Sequence, residues 1–313
     1  MPVRGRFAPS PSGRLHIGNM LSSLLAWLDV RSRGGEMLFR LEDLDPERSW
    51  EDCALMMADD LRWLGLDWDL GWPMDKDCRQ GRRTAEYESA FAQLGEAGLL
   101  YRCWCSRAER LAASAPHPGE ENPGSCRCRS LPEGEIAALE RRSRRAAFKV
   151  ITPDADVTVE DGHYGTYTEN LARGGGDFIV RRSDGVFAYQ LAVTVDDGLM
   201  GVTEVVRGRD LLGSTARQIW LHRLFGFTPP TFYHIPLLLA PDGRRLSKRD
   251  ADLDLGRLRA HMKPERLVGA LAFAAGLIDR DTPVAPAELV DTFSWDKIPN
   301  TDLYLPDIFH TLV

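Results

Sequence analysis

Apolar residues follow two different periodicities along the first hundred positions of the chain. Short apolar runs bounded by turn residues predict strands at 3–8 and 36–41. Apolar residues that recur every three or four positions predict helices at 17–33, 51–64 and 82–98. Strands that alternate with helices form parallel sheets, because each crossover helix returns the chain to the same edge. The pattern therefore predicts the α/β class, with a parallel sheet of the Rossmann type.

The alternation stops between Tyr101 and Asp177, a stretch that holds four of the six cysteines. A loop rich in proline, glycine and glutamate and a charged helix at 133–145 also lie there, and we interpret the stretch as an inserted subdomain. The βα pattern resumes at Phe178 and continues through a helix at 211–225. The predicted organisation is a first half of the catalytic domain at 1–100, the insertion at 101–177, a second half at 178–240 and a helical C-terminal region at 241–313.

Two turns follow apolar runs at places where a parallel sheet binds ligands. The first run ends at the turn 9–13, and His16-Ile17-Gly18 then opens a helix. A helix N-terminus offers unpaired N–H groups and the positive end of the helix dipole, which suit a phosphate. The second apolar run, 233–240, is followed by a turn and then by the basic loop that carries Lys248. Taken singly, these two segments are also explained by an ordinary turn and a solvated basic loop.

Composition and charge narrow the class of protein. The chain has 313 residues, of which 43% are hydrophobic, and a formal net charge of −7. That charge argues against nucleic-acid binding through bulk charge but leaves a local basic face open. No apolar run approaches the roughly 18 residues of a membrane span, and the N-terminus leads directly into the first strand. We therefore expect a cytoplasmic protein with reduced cysteines and no membrane partner.

The cysteines of the insertion form two close pairs, Cys103-x-Cys105 and Cys126-x-Cys128. Four thiolates suit tetrahedral Zn²⁺, and a metal link gives structure to the polar loop between the pairs. Four protein ligands leave no open coordination position, so we expect a structural site. The alternatives are free surface thiols, or His117 in place of one cysteine.

The two turns together resemble the two signatures of class I aminoacyl-tRNA synthetases. His16-Ile17-Gly18-Asn19 stands at the HIGH motif, with Asn19 in place of the last histidine, and residues 245–249 stand at the KMSKS motif. Further resemblance, to the glutamyl branch of this class, is carried by segments 40–48, 187–192, 195–197 and 201–211. Residues 250–313, the 64 after Arg249, are too few for the anticodon-binding domain of a full glutamyl-tRNA synthetase. In this respect the chain is similar to the glutamyl-queuosine tRNA(Asp) synthetases, a family made of the catalytic core alone.

This resemblance implies an enzyme that activates L-glutamate with ATP, without tRNA, and transfers it to queuosine at the wobble position of tRNA(Asp). It implies Mg²⁺ with ATP, one structural Zn²⁺ on the four cysteines of an acceptor-type subdomain, a helical stem-contact region after the KMSKS loop, and a monomer. The implied catalytic residues are His16 and Lys248. The implied ATP-binding residues are His16, Gly18, Ser247 and Lys248. The implied glutamate-binding residues are Arg6, Phe7, Ala8, Pro9, Ser10, Glu42, Tyr189 and Arg207.

Two other interpretations stay open at this point. One is a glutamyl-tRNA synthetase core that charges tRNA(Glu), and the other is a non-catalytic paralogue that binds a nucleotide or tRNA. Asp196 and Asp197 are open in the same way, because paired acids can hold Mg²⁺ but more often end a strand, cap a helix or bind backbone. Asp210 is expected near the nucleotide.

Overall fold

The computed structural model describes residues 2–45, 49–106, 126–142, 145–239 and 254–304, together with Gly243 and Phe309. Its strands are β1 (Arg4–Phe7), β2 (Glu36–Phe39), β3 (Leu70–Gly71), β4 (Leu100–Cys103), β5 (Ala147–Val150), β6 (Asp156–Asp161), β7 (Gly165–Asn170), β8 (Phe178–Arg181), β9 (Glu204–Gly208), β10 (Thr231–Ile235), β11 (Leu238–Leu239) and β12 (Leu303–Tyr304). Its α-helices are α1 (Ile17–Arg31), α2 (Glu51–Trp63), α3 (Thr84–Glu96), α4 (Glu133–Arg141), α5 (Leu171–Gly174), α6 (Tyr189–Leu199), α7 (Thr215–Leu224), α8 (Leu255–His261), α9 (Pro264–Ala274) and α10 (Pro286–Leu289). Short 3₁₀ turns lie at Gln80–Arg82, Arg127–Ser130, Arg209–Ser214, Val290–Thr292 and Trp295–Lys297.

Two parallel strand groups meet edge to edge in the centre of the molecule. Strand β1 pairs in parallel with β2, and β2 with β3. Strand β10 pairs in parallel with β9 on one side and β6 on the other. Thr203 joins the groups, because its N–H donates to the Arg4 carbonyl over 2.9 Å and its Oγ1 accepts from the Arg4 N–H over 2.8 Å. The chain thus winds outward in opposite directions from β1 and β9, which makes a topological switch point between them, the usual ligand position in such sheets.

Helix α1 forms the core of the first half. Residues 26, 27, 29 and 30 are buried, and so are all the apolar residues that recur at helical spacing: Ile17, Met20, Leu21, Leu24, Leu25 and Leu28. Gly5 allows the close approach of helix and strand, since a β-carbon there would lie only 2.4 Å from Cγ2 of Val30. The helix ends at Arg31, two residues earlier than the apolar pattern predicts, and Gly34 continues the turn with a φ of +64°.

The range predicted as an insertion contributes to two sheets. Strands β4, β5 and β8 form an antiparallel sheet of their own. Strands β6 and β7 form a hairpin whose first strand returns to the main sheet beside β10. The region 101–177 is therefore joined to the parallel sheet through β6, and β8 pairs with β5 inside that range.

The apolar run 233–240 is split in the structure. Strand β10 ends at Ile235, and Leu238–Leu239 form the separate strand β11, which pairs in parallel with β12 near the C-terminus. Pro236 lies at the break, where its missing N–H prevents a continuous ladder. Ala240 lies outside the described residues. Residues 235–238, which contain this break, line the cavity described below.

Across the described ranges, no helix combines the length and the apolar character that crossing a bilayer requires.

Candidate active site

A cavity of about 590 Å³ opens at the switch point, above the carboxyl ends of β1, β9 and β10. It brings together residues as far apart in the sequence as Arg6 and Leu238, which are separated by 232 positions. The residues implied by the resemblance that line it are Arg6, Phe7, Ala8, Pro9, His16, Gly18, Glu42, Tyr189 and Arg207. Ser10 is exposed and does not line it. Ser247 and Lys248 lie outside the described residues.

The N-terminus of α1 forms one end of this cavity. His16 is the N-cap residue of this 15-residue helix, and its Nδ1 accepts a hydrogen bond from the Asn19 N–H over 3.3 Å. Gly18 makes this arrangement feasible, because a β-carbon there would lie 3.2 Å from Cε1 of His16 and 3.3 Å from its Nδ1. An Nδ1 that accepts a hydrogen bond puts the proton of a neutral imidazole on Nε2. This end of the cavity thus offers a helix N-terminus and an imidazole donor.

A buried ionic network lies beneath the other end. Oδ1 of Asp197, on α6, lies 2.7 Å from Nη1 of Arg40 and 3.4 Å from Nε of Arg6. Burial alone would raise the pKa of Asp197, but the two guanidinium groups lower it below its usual value. The network holds Arg6 in place at the cavity wall. In the described part of the chain Nη2 of Arg6 binds no acceptor, which leaves that nitrogen available to a ligand.

Asp196 is occupied by a different set of partners. It accepts hydrogen bonds from Nε of Arg83 over 2.6 Å, Nε2 of Gln80 over 2.8 Å and the Tyr87 hydroxyl over 2.8 Å. Both adjacent acids therefore bind protein donors and link α6 to β2 and α3. This geometry matches the structural alternative for the pair rather than the Mg²⁺ alternative.

Glu42 is the acidic residue of the glutamate-lining set. Its Oε1 accepts from Nη2 of Arg40 over 3.1 Å, and its side chain is 10% exposed. Burial raises the pKa of Glu42 above its usual value, and the nearby charges of Arg40 and Arg6 oppose that shift only in part. A cationic ligand group in the cavity would offset the cost of keeping this carboxylate ionised.

Arg207 reaches the cavity from β9. Its Nε donates to Nε2 of His234 over 3.0 Å, and its Nη1 donates to Oε1 of Gln218 over 2.6 Å. Burial lowers the pKa of Arg207, contact with Tyr189 opposes this, and repulsion from Arg6 lowers it further. Two arginines thus face one cavity and repel each other. An anion bound between them would relieve that repulsion.

Asp210 also lines the cavity. The absence of a side chain at Gly208 makes room for it, since a β-carbon at Gly208 would lie 2.6 Å from Oδ1 of Asp210. The sequence pattern does not indicate this close approach of Gly208 and Asp210.

The four cysteines come together at the end of β4. Their Sγ atoms all lie within 4.8 Å of one another, and three of the separations are 3.3, 3.6 and 3.7 Å. Tetrahedral zinc with Zn–S bonds of about 2.3 Å separates its ligands by about 3.8 Å. Backbone N–H groups of Cys105 and Cys128 face the sulfurs of Cys103 and Cys126. The residues present therefore fit a four-coordinate metal ion.

Comparison with known proteins decides the family. Residues 2–264 match the family model of the class I tRNA synthetases (E and Q), catalytic domain. The chain belongs to this synthetase family. The predicted α/β fold and the predicted enzyme class are thereby confirmed.

Individual synthetases show how far the likeness extends. The chain is 47% identical to the glutamyl-Q tRNA(Asp) synthetase of Symbiobacterium thermophilum, over 96% of this chain and 95% of that protein. It is 44% identical to the protein of the same name from Nitratidesulfovibrio vulgaris, over 97% and 96%. Among solved structures, a glutamate tRNA ligase from Elizabethkingia meningosepticum, in complex with its amino acid, matches with a TM-score of 0.82 and 25% identity, over 98% of this chain and 67% of that one. The predicted similarity to glutamyl-queuosine tRNA(Asp) synthetases is confirmed.

The residue that sequence reasoning missed most clearly is Arg40. It opens the segment 40–48 that carries part of the resemblance, yet its role depends on Asp197 and Glu42, which only the folded chain brings near. A charged residue directly after the apolar run of β2 was the available signal. His234 was hidden in the same way, inside the apolar run 233–240.

Proposed function

We propose that this chain joins L-glutamate to ATP to form glutamyl-adenylate, without tRNA, and then transfers the glutamyl group to queuosine at the wobble position of tRNA(Asp). The observation that carries the first half is the placement of Arg6 and Arg207 in the same cavity as the N-terminus of α1. The relatives' name supports the acceptor. So does their length, since they match over about their whole chains, whereas the glutamate tRNA ligase extends well beyond the match.

Glutamate occupies the end of the cavity beneath which the ionic network lies. Its carboxylates are attracted by Arg6 and Arg207, and its ammonium by Glu42. Tyr189 supplies a wall, and burial raises the pKa of its hydroxyl, which keeps it a neutral donor. Residues 7–9 complete this end of the site. Glutamate is a zwitterion with one additional negative charge, and its charges thus complement the two arginines and one carboxylate of the cavity wall.

The triphosphate of ATP lies along the N-terminus of α1. The α-phosphate receives the Nε2–H of His16 and the N–H groups beside Gly18, where the helix dipole favours negative charge. The dipole acts on charge that grows in the transition state, which is the condition for catalysis rather than mere binding.

Ser247 and Lys248 act on the departing pyrophosphate. The described residues on both sides of segment 244–253 support this assignment. Leu238 lines the cavity before it. After it, Asp254 forms an antiparallel bridge with His16, and the Leu255 N–H donates to the Leu15 carbonyl over 3.0 Å. Lys248 is six residues from Asp254, a reach of up to about 20 Å for an extended chain.

The chemistry has two steps. A carboxylate oxygen of glutamate attacks the α-phosphorus, the bond from that phosphorus to the bridging oxygen breaks, and pyrophosphate leaves. A hydroxyl of the queuosine cyclopentenediol then attacks the activated carbonyl, AMP leaves with the bonding electron pair, and the phosphate of the departing AMP takes up the hydroxyl proton. Mg²⁺ with ATP supplies charge neutralisation of the phosphates. The second step starts from an activated acyl group, so positioning supplies most of what it needs.

We further propose that Cys103, Cys105, Cys126 and Cys128 hold one structural Zn²⁺. The donor set is complete, so the ion has no position for water or substrate.

Glutamate-dependent exchange of ³²P-pyrophosphate into ATP, with tRNA omitted, tests the first step. We expect exchange with glutamate and none with glutamine or aspartate. Labelling of tRNA with ¹⁴C-glutamate tests the second, with queuosine-containing tRNA(Asp), the same tRNA lacking queuosine, and tRNA(Glu) side by side. Label on tRNA(Glu) would assign the chain to ordinary charging, and no exchange at all would favour a non-catalytic paralogue.

A further inference from the structure

Two buried residues that do not line the cavity form a series of hydrogen bonds that ends on Arg207. Asp161 is the last residue of β6, His234 lies in β10, and both side chains are fully buried. Nδ1 of His234 lies 2.5 Å from Oδ2 of Asp161. On its other side, Nε2 of His234 accepts from Nε of Arg207 over 3.0 Å. Neither Asp161 nor His234 lines the cavity, so neither would touch a substrate there.

The contacts of His234 determine which nitrogen carries the proton. Nε of arginine is always a donor, so Nε2 of His234 has to be the acceptor and carry no hydrogen. Nδ1 then carries the proton and donates it to Asp161. Asp161 is held as an acceptor by further donors, because its Oδ1 receives the N–H groups of His163 over 3.0 Å and Tyr164 over 2.8 Å. Both neighbours therefore require the same neutral tautomer, and burial, which lowers the pKa of His234, favours it.

The orientation of Arg207 depends on this tautomer. Its Nη2 donates to Oγ1 of Thr215 over 2.8 Å and to the Leu211 carbonyl over 3.3 Å. The ring of Phe232 lies 4.8 Å from its Cζ and covers the guanidinium. Nε is bound by His234, and Thr215 and the Leu211 carbonyl bind the far end, so rotation of the planar group about its own axis would break contacts at both ends. A fixed guanidinium loses little entropy when an anion binds.

We propose that Asp161 and His234 are positioning residues for glutamate recognition: Asp161 selects the His234 tautomer whose Nε2 holds Arg207 in its binding orientation. The inference rests on the proposed function, because it assigns Arg207 to the substrate. It extends the recognition site by two residues that do not line the cavity, Asp161 on β6 and His234 on β10.

Three substitutions test the separate hydrogen bonds of this series from Asp161 to Arg207. His234→Asn keeps a donor near the place of Nδ1 but removes the acceptor that faces Arg207. His234→Gln keeps an acceptor near the place of Nε2. Asp161→Asn is nearly isosteric, but its amide can donate to Nδ1, which favours the tautomer with a proton on Nε2 and turns that proton toward Arg207. Val205→Ala, on the same strand as Arg207 and also fully buried, is the matched control for lost packing.

The readout is the KM for glutamate and for ATP in pyrophosphate exchange by the full chain, with thermal midpoints measured in parallel. We expect His234→Asn and Asp161→Asn to raise the glutamate KM about tenfold or more, the loss expected for a hydrogen bond to a charged group. The ATP KM should stay within about twofold, and His234→Gln should lie closer to wild type. Val205→Ala should lower the thermal midpoint without changing the glutamate KM.

If the wild-type chain shows glutamate-dependent exchange, two results would overturn this inference and leave the proposed function intact. One is an unchanged glutamate KM in both His234→Asn and Asp161→Asn. The other is a parallel rise of both KM values that Val205→Ala reproduces, which would mark a merely structural role. Absence of glutamate-dependent exchange in the wild-type chain would instead remove the proposed function, and the inference with it.

Discussion

Oδ1 of Asp197 lies 2.7 Å from Nη1 of Arg40, and neither side chain is accessible to solvent beyond a few per cent. The same oxygen also lies near Arg6, so one buried carboxylate supports two arginines beneath the cavity. Because a buried charge without its partner is costly, this carboxylate is expected to matter for the fold as well as for the site.

The first prediction concerns stability. Asp197→Asn should lower the free energy of unfolding by ~3 to 5 kcal/mol at pH 7, measured by urea titration, because the buried Arg40 loses the nearest of its carboxylate partners. The pKa of Asp197 is lowered in the folded state, so its contribution is present above the pKa of an unfolded aspartate and is lost as the pH falls through the folded value. The difference in unfolding free energy between Asp197→Asn and wild type should therefore become smaller at acidic pH. Asp184→Asn, in an exposed pair with Arg182, is the control and should change little.

Glu42 is predicted to show the opposite pH dependence. Burial raises its pKa, so its contribution to stability is greatest below the pKa of an unfolded glutamate, about 4.3, and is lost as the pH rises through the folded value. Glu42→Gln should consequently unfold at a higher urea concentration than wild type at pH 7, with no gain near pH 4. It should also lose glutamate-dependent exchange, because the substrate ammonium has lost its partner.

The control for this second prediction is Glu36→Gln, a carboxylate that is 43% exposed in its pair with Arg4. It should show neither a gain in stability nor a loss of exchange. A Glu42→Gln variant that is less stable than wild type at pH 7 would contradict the assigned pKa direction.

Local elements of this fold were predictable where one face of an element is buried. The apolar positions of α1 mark its buried face directly, and the helix lies where the pattern predicts it. Strand β6 also shows regular alternation, with Val157 and Val159 buried between exposed residues. Its partner β10 follows about 70 residues later, and no periodicity identifies a partner at that separation. The return of β6 to the main sheet could therefore not be predicted.

The residues of the candidate site fall into the same two groups: those predictable from local sequence and those that depend on long-range pairing. His16 and Gly18 are local, and their pattern at a helix start carries its own physical reason. Arg6 and Arg207 were named only through the resemblance, since nothing in a single strand indicates which distant charge it will face. Asp197 stayed ambiguous between a metal ligand and a structural acid for the same reason, because Arg40 becomes its partner only by long-range pairing.

The third prediction isolates the contact between His16 and Gly18. Gly18→Ala should displace the imidazole, because the added carbon would lie 3.2 Å from Cε1 of His16. We expect the ATP KM to rise about tenfold, the loss of roughly one hydrogen bond to phosphate, with little change in the glutamate KM. Stability should not fall, since alanine favours a helix over glycine by ~1 kcal/mol. Gly95→Ala in α3 is the control, because the nearest side-chain atom there would be 3.8 Å away; equal ATP KM values in the two variants would refute the steric argument.

The fourth prediction concerns metal content. Elemental analysis of the purified chain should find one zinc per chain, and Cys105→Ser should lower both the zinc content and the thermal midpoint, because the proposed ion would link β4 to the turn that carries Cys128. Cys53→Ala is the control, since Cys53 lies in α2, away from the cluster. Full zinc occupancy in Cys105→Ser would show that the four cysteines are not the ligand set.

The last prediction tests the assignment of Lys248 to pyrophosphate. Lys248→Ala should reduce glutamate-dependent exchange about a hundredfold or more, because a cation that meets charge developing on a leaving group acts mainly in the transition state. The KM for glutamate should stay near its wild-type value, since Arg6, Glu42 and Arg207 are unaltered. Lys76→Ala, at an exposed lysine in a turn that does not line the cavity, removes the same charge and should retain full exchange. Circular dichroism and the thermal midpoint should match among all three proteins. Exchange by Lys248→Ala at the wild-type rate would remove Lys248 from the mechanism and leave the N-terminus of α1 and Ser247 as the phosphate-binding elements assigned to this cavity.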